Sequence, residues 1–338
     1  MKLVSYKKAG HDQLAVLADG MLLDMNAIHP DLPDNMSLFL KNYSDLFPIA
    51  KNCLLWIKDE SVIMPKCFRV REVDLVSPVP APASCRDGYA FRQHVEAARH
   101  NRGLAMTPEF DQYPVFYFTN HHAVNGPCAI ICMPDHLEKP DYELEVAVVI
   151  SKRGRNIPAE DADHYIAGLM IMNDFSARTL QMEEMLLSLG PAKGKDFSTA
   201  FGPWLVTTDE LLEFEVPCKK GHTGRPWDLR MSATVNGVIR SQGNLSDMDW
   251  TFAELIERAS YGTELIPGDV IGSGTVGTGC FLELNGTNKL NNPAYREEWL
   301  QEGDVVELSV ERLGILSNFM VCEKSKYSLL KKKKMHFS

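Results

Sequence analysis

Short runs of apolar residues, separated by turn residues, dominate the chain from residue 85 onward. Runs rich in β-branched and aromatic residues are typical of β-strands, and long helical patterns are few. The sequence therefore predicts a β-rich domain of barrel or sandwich type. The predicted strands are YPVFYF, CAIICM, ELEVAVVI, HYIAGLMIMND, PWLVTT, RMSATVNGVI, DVIGSG, FLELN and DVVELSV.

The first part of the chain, residues 1–76, shows a different pattern and predicts a small, separate α/β domain. Two apolar runs flank Asp19-Gly20, a dipeptide that favours a β-hairpin turn, and helical spacing follows over residues 36–57. Prolines at alternate positions in SPVPAPAS, residues 77–84, favour extended chain, so this stretch is the predicted linker.

The linker leads to the predicted catalytic, metal-binding domain, residues 85–322. The remaining residues, 323–338, form a basic tail after an acidic body, and a solvated end is its simplest interpretation.

Composition narrows the class of protein. Of 338 residues, 45 % are hydrophobic and 24 % charged, which are ordinary values for a packed globular protein. The net charge of −10, without a basic stripe in the body, disfavours nucleic acid and favours small-molecule partners. No stretch has the continuous apolar composition of a signal peptide or a membrane span, so we expect a cytoplasmic protein with no membrane partner. Eight scattered cysteines are interpreted as buried thiols rather than a zinc site or disulfides.

Two glutamates stand at the start of the strongest predicted strand, DYELEVAVVI. Side chains alternate along a strand, so Glu143 and Glu145 share one face, opposite Tyr142 and Leu144. Like charges this close, beside an apolar run, must be solvated, protonated or bridged by a cation. Taken alone, the motif favours an edge strand whose glutamates face water.

The segment MNDFSARTLQ offers a third carboxylate, Asp174. If the segment is helical, Asp174, Arg178 and Gln181 share a face at the helix N-terminus. The alternative is that Asp174 caps a surface helix and pairs with Arg178, which leaves Gln181 unexplained. Together with Glu143 and Glu145, this carboxylate suits a cation that prefers oxygen ligands, such as Mg²⁺, Mn²⁺ or Ca²⁺.

The segment CRDGYAFRQHV places His94 seven residues after Asp87. Seven residues make two helical turns, so a helix starting here would put both side chains near one edge, flanked by Tyr89 and Arg92. An imidazole titrates near neutral pH, so His94 is a candidate general base. A solvent-facing histidine is the simpler alternative.

Two glycine-rich segments imitate nucleotide-binding motifs. GSGTVG satisfies G-x-G-x-x-G, but the following CFLELN predicts a strand rather than a helix, so we reject a dinucleotide site. The glycines instead let backbone amides approach a bound carboxylate, with Thr275 adding a hydroxyl. GPAKGKDFS has the wrong spacing for a phosphate loop, and Asp196 follows the lysine where such a loop needs Ser or Thr.

Five motifs together resemble the fumarylacetoacetate hydrolase family in order and spacing, over residues 86–285. They are RDGYAFRQHV, DYELEVAVV, MNDFSARTLQ, GPAKGKDF and GSGTVGTGCFLEL. The resemblance implies an α+β, β-rich fold, with a small N-terminal α/β domain and a C-terminal mixed β-sandwich or roll. It also implies a homodimer that acts on a small oxo-acid or dicarbonyl substrate.

The resemblance further implies a role for each matching residue. The family's ligands for a divalent cation, Mg²⁺ or alternatively Mn²⁺ or Ca²⁺, are matched by Asp87, Glu143, Glu145 and Asp174. His94 resembles the water-activating histidine, and Glu283 resembles the glutamate that orients it. The groups that stabilise oxyanion or enolate charge are matched by Arg178, Gln181 and Lys195, with Lys193 as a competitor for the last. Substrate-contact positions are matched by Tyr89, Arg102, Tyr117 and Thr275.

The activity implied by the resemblance is metal-dependent hydrolysis of a C–C bond in a 1,3-dicarbonyl or acylpyruvate, such as fumarylacetoacetate or fumarylpyruvate. Retention of His94 and Glu283 favours this reaction, because it needs an activated water. Decarboxylation, isomerisation or dehydration of a 2-oxo acid on the same scaffold is the alternative, with oxaloacetate and 2-hydroxyhepta-2,4-diene-1,7-dioate as examples. A non-catalytic metal-binding protein is a third possibility.

Overall fold

The computed structural model describes residues 1–57 and 67–332. Strands dominate these ranges, as the short apolar runs predict. They are β1 (Lys2–Lys8), β2 (His11–Ala18), β3 (Met21–Asp24), β4 (Cys67–Arg69), β5 (Ser84–Gly88), β6 (Phe116–Thr119), β7 (Val124–Asn125), β8 (Ala129–Cys132), β9 (Pro140–Asp141), β10 (Leu144–Ile150), β11 (Gly154–Arg155), β12 (Ile166–Asp174), β13 (Ser176–Ala177), β14 (Thr199–Thr207), β15 (Arg230–Val235), β16 (Val238–Asn244), β17 (Glu264–Leu265), β18 (Asp269–Gly272), β19 (Val305–Val310) and β20 (Gly314–Cys322).

Short helices connect the strands. They are α1 (Met25–Ile28), α2 (Met36–Lys41), α3 (Tyr43–Ile57), α4 (Arg92–His100), α5 (Ala159–Ala162), α6 (Arg178–Met185), α7 (Phe252–Ser260) and α8 (Phe281–Asn291). None of these helices in the described ranges combines the length and apolar composition that a membrane span requires.

Two large sheets organise the described residues. The larger has 11 strands in the order β4-β3-β2-β1-β14-β12-β10-β18-β5-β6, with β7 paired to β14. The smaller has five strands in the order β16-β15-β19-β20-β8. Both sheets are mixed, and within the described ranges neither closes into a barrel. The α+β, β-rich fold class predicted from the sequence is confirmed. Of the two architectures predicted for the β-rich domain, packed sheets rather than a barrel are found in the described residues.

Strand β10 lies in the middle of the larger sheet, between β12 and β18. Its alternate residues belong to two different buried cores: Val146 packs in one, and Ala147 packs in the other. The edge-strand interpretation of the two glutamates is therefore wrong. Glu143 and Glu145 are both buried, at 6 % and 0 % exposure, as only a strand covered on both faces allows.

The N-terminal region confirms its two local predictions. Strands β2 and β3 form the hairpin, and Asp19 and Gly20 take the left-handed backbone that this turn requires, with φ of 47° and 77°. The helical spacing over residues 36–57 is realised as α2 and α3, which begin at Met36 and Tyr43.

The larger sheet runs across the predicted linker. Strand β1 pairs with β14, where Leu3 lies opposite Leu205, so the N-terminal strands extend the sheet of the second region. Val79, within the linker, is buried in a core shared by both regions. The domain boundaries at residues 76, 84 and 322 stay predictions.

Three local predictions about the candidate site are wrong. FLELN forms the first turn of helix α8 rather than a strand. Asp174 is the last residue of strand β12, and helix α6 begins only at Arg178. Asp87 lies in strand β5 while His94 lies in helix α4, so the two do not share a helical edge. Short apolar runs do not distinguish helix from strand, because tertiary contacts decide between them.

The remaining sequence predictions concern the cysteines and the tail. All eight cysteines are free thiols, but only four of them are buried as predicted, namely Cys53, Cys85, Cys132 and Cys280; the other four are partly exposed. In the tail, the backbone amides of Leu329 and Leu330 donate to Asp135, at 2.6 Å and 3.2 Å. This part is therefore attached to the body, and residues 333–338 lie outside the described residues.

Candidate active site

Three buried carboxylates meet at one end of the central strands. Asp87 comes from β5, Glu145 from β10, and Glu143 immediately precedes β10; strand β18 lies between β5 and β10. One oxygen of each lies within 4.8 Å of the others, and all three side chains are buried. The alternation predicted for Glu143 and Glu145 thus places both on the face where Asp87 arrives.

This group leaves one buried oxygen without a partner. Glu145 Oε1 accepts from the Thr275 hydroxyl at 3.1 Å, whereas Oε2 has no hydrogen-bond donor among the described residues. Burial, followed by the charges of Asp174 and Glu143, raises the pKa of Asp87 to about 8. Burial and the nearby Asp87 likewise raise the pKa of Glu145 well above its usual range.

A divalent cation fits this arrangement. Buried like charges and an unpartnered oxygen are costly alone, and a cation would offset both. The donors are all carboxylate oxygens, which suit Mg²⁺, Mn²⁺ or Ca²⁺. Which of these ions binds stays a prediction.

The loop around Gly274 supports two of the carboxylates. Its amide donates to Asp87 Oδ1 at 3.0 Å, next to the Thr275 hydroxyl that binds Glu145. Gly274 has φ of +77°, and a Cβ there would lie 2.6 Å from the carbonyl oxygen of Gly88. The glycines therefore do bring a backbone amide against a carboxylate, but that carboxylate is the protein's own.

Lys195 places a buried ammonium between two carboxylates. Its Nζ lies 2.5 Å from Glu143 Oε2 and 2.9 Å from Asp174 Oδ2. Burial disfavours the charged ammonium, but Asp174 and Glu143 outweigh it and raise the pKa of Lys195. Lys193, its competitor, is half exposed and pairs with Asp196, so the structure brings Lys195 to the site.

Asp174 lies outside the group of three. Besides Lys195, its carboxylate accepts the Tyr117 hydroxyl and, at 3.4 Å, the Thr199 hydroxyl. Its role as a fourth metal ligand stays a prediction.

The backbone amides of the GPAKGKDF loop bind a carboxylate of the protein itself. The amides of Ala192, Lys193 and Gly194 donate to the Glu184 carboxylate at 2.9, 2.6 and 3.1 Å. Glu184 lies on helix α6, so this contact fastens the loop carrying Lys195 to the helix carrying Arg178.

Arg178 supplies the second buried cation. Its guanidinium donates to Glu143 and to Gln181, both at 2.8 Å, and to Asp141 at the same distance. Burial raises the pKa of Glu143, but Lys195 and Arg178 outweigh it and lower the pKa to about 2. Glu143 is therefore ionised, while its neighbours in the group resist ionisation.

His94 and Glu283 form a buried pair. His94 Nδ1 lies 2.6 Å from Glu283 Oε2, although the two residues are 189 positions apart. The amide of Thr278 donates to Glu283 Oε1 at 2.9 Å and fixes the carboxylate from its other side. With Nδ1 engaged, Nε2 is the imidazole nitrogen available for proton transfer.

The predicted substrate-contact residues fall into two sets. Tyr89 and Arg102 line a cavity of about 150 Å³ beside helix α4, together with Arg99 and Trp250. Tyr117 and Thr275 instead donate to carboxylates of the site. The first set is placed to contact a ligand, whereas the second supports the cluster.

Comparison with known proteins agrees with this geometry. Residues 84–321 match the family model described as fumarylacetoacetate (FAA) hydrolase, C-terminal. The chain belongs to the fumarylacetoacetate hydrolase family.

Proteins that resemble this chain are named for different reactions. The chain is 30 % identical over 311 residues to a cow protein named oxaloacetate tautomerase FAHD2A, mitochondrial, covering 89 % of this chain and 84 % of that protein. Among solved structures, a probable 2-hydroxyhepta-2,4-diene-1,7-dioate isomerase from Mycobacterium abscessus has a TM-score of 0.68 at 24 % identity. It covers 96 % of this chain and 100 % of its own.

A maleylpyruvate hydrolase from Sphingobium sp. SYK-6, solved with manganese(II) and pyruvate, has a TM-score of 0.66 at 20 % identity. The coverage is 96 % of this chain and 100 % of that one. A divalent metal in the same fold agrees with the fit of the carboxylate group, and family membership confirms the resemblance of the five motifs.

One buried acid of the site, Asp141, was missed by the sequence reasoning. It is fully buried and binds Arg178 together with two amides of helix α8. A signal for it exists: Asp141, Glu143 and Glu145 alternate, so extending the strand pattern by one step would place Asp141 on the face of the glutamates.

Proposed function

We propose that this member of the fumarylacetoacetate hydrolase family catalyses keto–enol tautomerisation of oxaloacetate or a closely related 2-oxo acid. The His94–Glu283 pair, set against a buried carboxylate group, is the observation that carries the proposal. The 30 % identity with a cow oxaloacetate tautomerase over most of both chains supports this choice among the family's reactions.

Tautomerisation needs one proton moved between carbon and oxygen, and no C–C bond breaks. In the ketone-to-enol direction, His94 Nε2 removes a proton from the carbon next to the carbonyl, and the imidazolium then returns this proton to the carbonyl oxygen. Glu283 stabilises the imidazolium that forms, because its carboxylate is hydrogen-bonded to Nδ1. General acid–base catalysis of this kind contributes about 10²- to 10⁴-fold in rate.

The cationic side chains act on the oxygen. Lys195 and Arg178 are buried ammonium and guanidinium groups, which stabilise negative charge strongly because water is excluded. Asp87, Glu143 and Glu145 would hold the divalent cation, with Asp174 as the proposed fourth ligand. Such a cation, when bound, polarises carbonyl oxygens and orients the substrate.

The cavity lined by Tyr89 and Arg102 is the proposed substrate pocket. A guanidinium there suits the second carboxylate of a dicarboxylic acid such as oxaloacetate. The substrate class is therefore a 2-oxo acid that carries a further anionic group.

Hydrolysis of a C–C bond in an acylpyruvate is the second candidate. The short His94–Glu283 contact favours it as well, because a histidine held by a carboxylate can equally activate a water molecule. In that reaction the water oxygen bonds to the carbonyl carbon, the C–C bond breaks, and the leaving carbon is released as an enolate.

A substrate panel separates these reactions. Purified protein with Mg²⁺ or Mn²⁺, with and without chelator, is given oxaloacetate, fumarylpyruvate and fumarylacetoacetate. Loss of the oxaloacetate enol absorbance without release of CO₂ supports tautomerisation. Formation of pyruvate and CO₂ from oxaloacetate would replace it with decarboxylation, and cleavage of the acylpyruvate would replace it with hydrolysis.

A lack of metal-dependent turnover across the whole panel would favour the non-catalytic metal-binding protein. The cytoplasmic location and the homodimer stay predictions beside this proposal.

A further inference from the structure

Asp141 is a buried acid to which neither the sequence motifs nor the proposed reaction gives a role. Its exposure is 0 %, and it lies in strand β9, two residues before Glu143. Strand β9 pairs with β13, so Asp141 lies opposite Ser176, just before helix α6 begins. The backbone thus places this carboxylate where the chain turns into the helix that carries Arg178.

The Asp141 carboxylate binds two separate parts of the site. Oδ2 accepts from Arg178 Nε at 2.8 Å and from the Leu282 amide at 2.9 Å. Oδ1 accepts from the amides of Phe281 and Tyr142, at 2.7 and 2.9 Å. All of these partners are donors, and a single ionised carboxylate satisfies them.

The amides of Phe281 and Leu282 are the first of helix α8, whose N-cap residue, Cys280, makes no side-chain cap hydrogen bond. Asp141 therefore caps this helix from about 140 positions away, and its negative charge suits the positive end of the helix dipole. Glu283, which binds His94, is the next residue of the same turn. The direction in which Glu283 points thus depends on the contact that Asp141 makes.

Arg178 depends on the same carboxylate. Its guanidinium also contacts Glu143 and Gln181, but Glu143 belongs to the proposed metal-ligand group. Asp141 is the acidic partner of Arg178 that lies outside that group. It therefore sets the plane of the guanidinium independently of what Glu143 binds.

We infer that Asp141 is a positioning residue that aligns the acid–base pair, through helix α8, with the charge-stabilising Arg178. The kinetic part of this inference rests on the proposed function, whereas the structural part does not. No group of Asp141 touches the reacting atoms in this account.

The direct test is Asp141→Asn. An amide of the same shape must point its NH₂ at donors whichever way it is turned, so it loses either Arg178 and the Leu282 amide or the amides of Phe281 and Tyr142. We expect kcat for enol consumption to fall about 100-fold and KM to rise by a smaller factor, because Asp141 acts mainly on the orientation of other groups. Asp24→Asn is the matched control, since Asp24 is a buried acid that binds Tyr6 and Lys8 in the N-terminal strands. It should leave kcat unchanged.

Double variants distinguish alignment from general loss of stability. If Asp141 acts through Arg178 and Glu283, then adding Asp141→Asn to Arg178→Met, or to Glu283→Gln, should lower kcat by clearly less than the roughly 100-fold expected in the wild-type background, because one of its two partners is already lost. Multiplicative losses in both double variants would show that Asp141 acts through neither residue and would overturn the inference.

Two measurements remain decisive if the wild-type protein shows no tautomerase activity. At least one of the Phe281 and Leu282 amides should exchange hydrogen 10-fold faster in Asp141→Asn, and both should keep their wild-type rate in Asp24→Asn. Calorimetric titration with Mn²⁺ and pyruvate should show weaker pyruvate binding, but not weaker Mn²⁺ binding, in Asp141→Asn. Unchanged exchange and unchanged pyruvate binding would refute the role of Asp141 even though the proposed function had failed separately.

The reciprocal variant Arg178→Met covers the case in which Asp141→Asn does not fold. Releasing the carboxylate from the guanidinium should accelerate exchange of the same two amides, because Asp141 then caps helix α8 less rigidly. Wild-type exchange rates at Phe281 and Leu282 in Arg178→Met would contradict the proposed coupling between the two parts of the site.

Discussion

Two regions of the same 11-stranded sheet bury acidic residues in opposite ways. In the N-terminal strands, Asp24 is only 3 % exposed, yet each of its oxygens has a donor. The Tyr6 hydroxyl donates to Oδ1 at 2.6 Å, and the Lys8 ammonium donates to Oδ2. Each oxygen of Asp24 therefore accepts a hydrogen bond, as expected of a buried group that only stabilises the fold.

The central strands bury more negative than positive charge. At the candidate site, the buried cations Arg178 and Lys195 lie among carboxylates that include an oxygen of Glu145 with no donor among the described residues. The carboxylates around these two cations are Asp87, Asp141, Glu143, Glu145 and Asp174. A third buried cation of the central strands, Arg86, has its own buried carboxylate, Asp269, at 4.0 Å. The difference indicates that surplus buried acid, rather than burial itself, marks the region where we propose that a cation binds.

Removing His94, the proposed general base, should have the largest effect. His94→Ala should lower kcat by about 10³-fold, equivalent to about 4 kcal/mol, because general base catalysis is lost. Steady-state kinetics on oxaloacetate enol would measure the change. His100→Ala, an exposed histidine of the same helix, is the control and should retain wild-type kcat. Equal activity in His94→Ala and wild type would rule out His94 as the base.

The second largest effect should come from adding a divalent metal, which should stabilise the folded protein through the central region and not through the N-terminal strands. At a free Mg²⁺ or Mn²⁺ concentration about 100 times Kd, binding should raise the free energy of unfolding by about 2.7 kcal/mol. Chemical denaturation with and without chelator would measure this. The gain should be lost in Glu145→Gln and kept in Asp24→Asn; a gain of equal size in both variants would place the ion elsewhere.

Replacing Asp24, whose two oxygens both have donors, should destabilise the fold and leave kcat unchanged. Asp24→Asn leaves Lys8 without its anion and weakens the Tyr6 contact, so the free energy of unfolding should fall by about 1–3 kcal/mol. Urea denaturation would measure it, with Lys7→Gln as the control, since Lys7 is half exposed and pairs with Asp12. A drop in kcat for Asp24→Asn would show that the two regions are not independent.

The smallest effect should have the opposite sign. In metal-free protein, burial raises the pKa of Glu145 and makes its ionised form costly, and Glu145→Gln replaces this carboxyl by a neutral amide, so the free energy of unfolding should stay equal or rise by about 1 kcal/mol. The same urea denaturation, in the presence of chelator, would measure it. A loss as large as that of Asp24→Asn would mean that Glu145 is a structural acid and that the contrast between the regions is wrong.

The alternation of side chains determined much of the site in advance. It placed Glu143 and Glu145 on one face, and the Asp19-Gly20 pair located the hairpin, because both depend only on neighbouring residues. The motif resemblance likewise identified His94 and Glu283, which the structure brings within 2.6 Å.

Tertiary structure alone decided where these local pieces meet. FLELN forms the first turn of a helix, and Asp141, a residue far away in the chain, binds the amides of Phe281 and Leu282 there. Lys195 rather than Lys193 contacts Glu143, in a loop that Glu184 fastens to helix α6. Local periodicity indicates which face of an element a side chain takes. Contacts between distant residues determine whether a segment is helix or strand, which residues pair, and which are buried, and these contacts bring the carboxylates together.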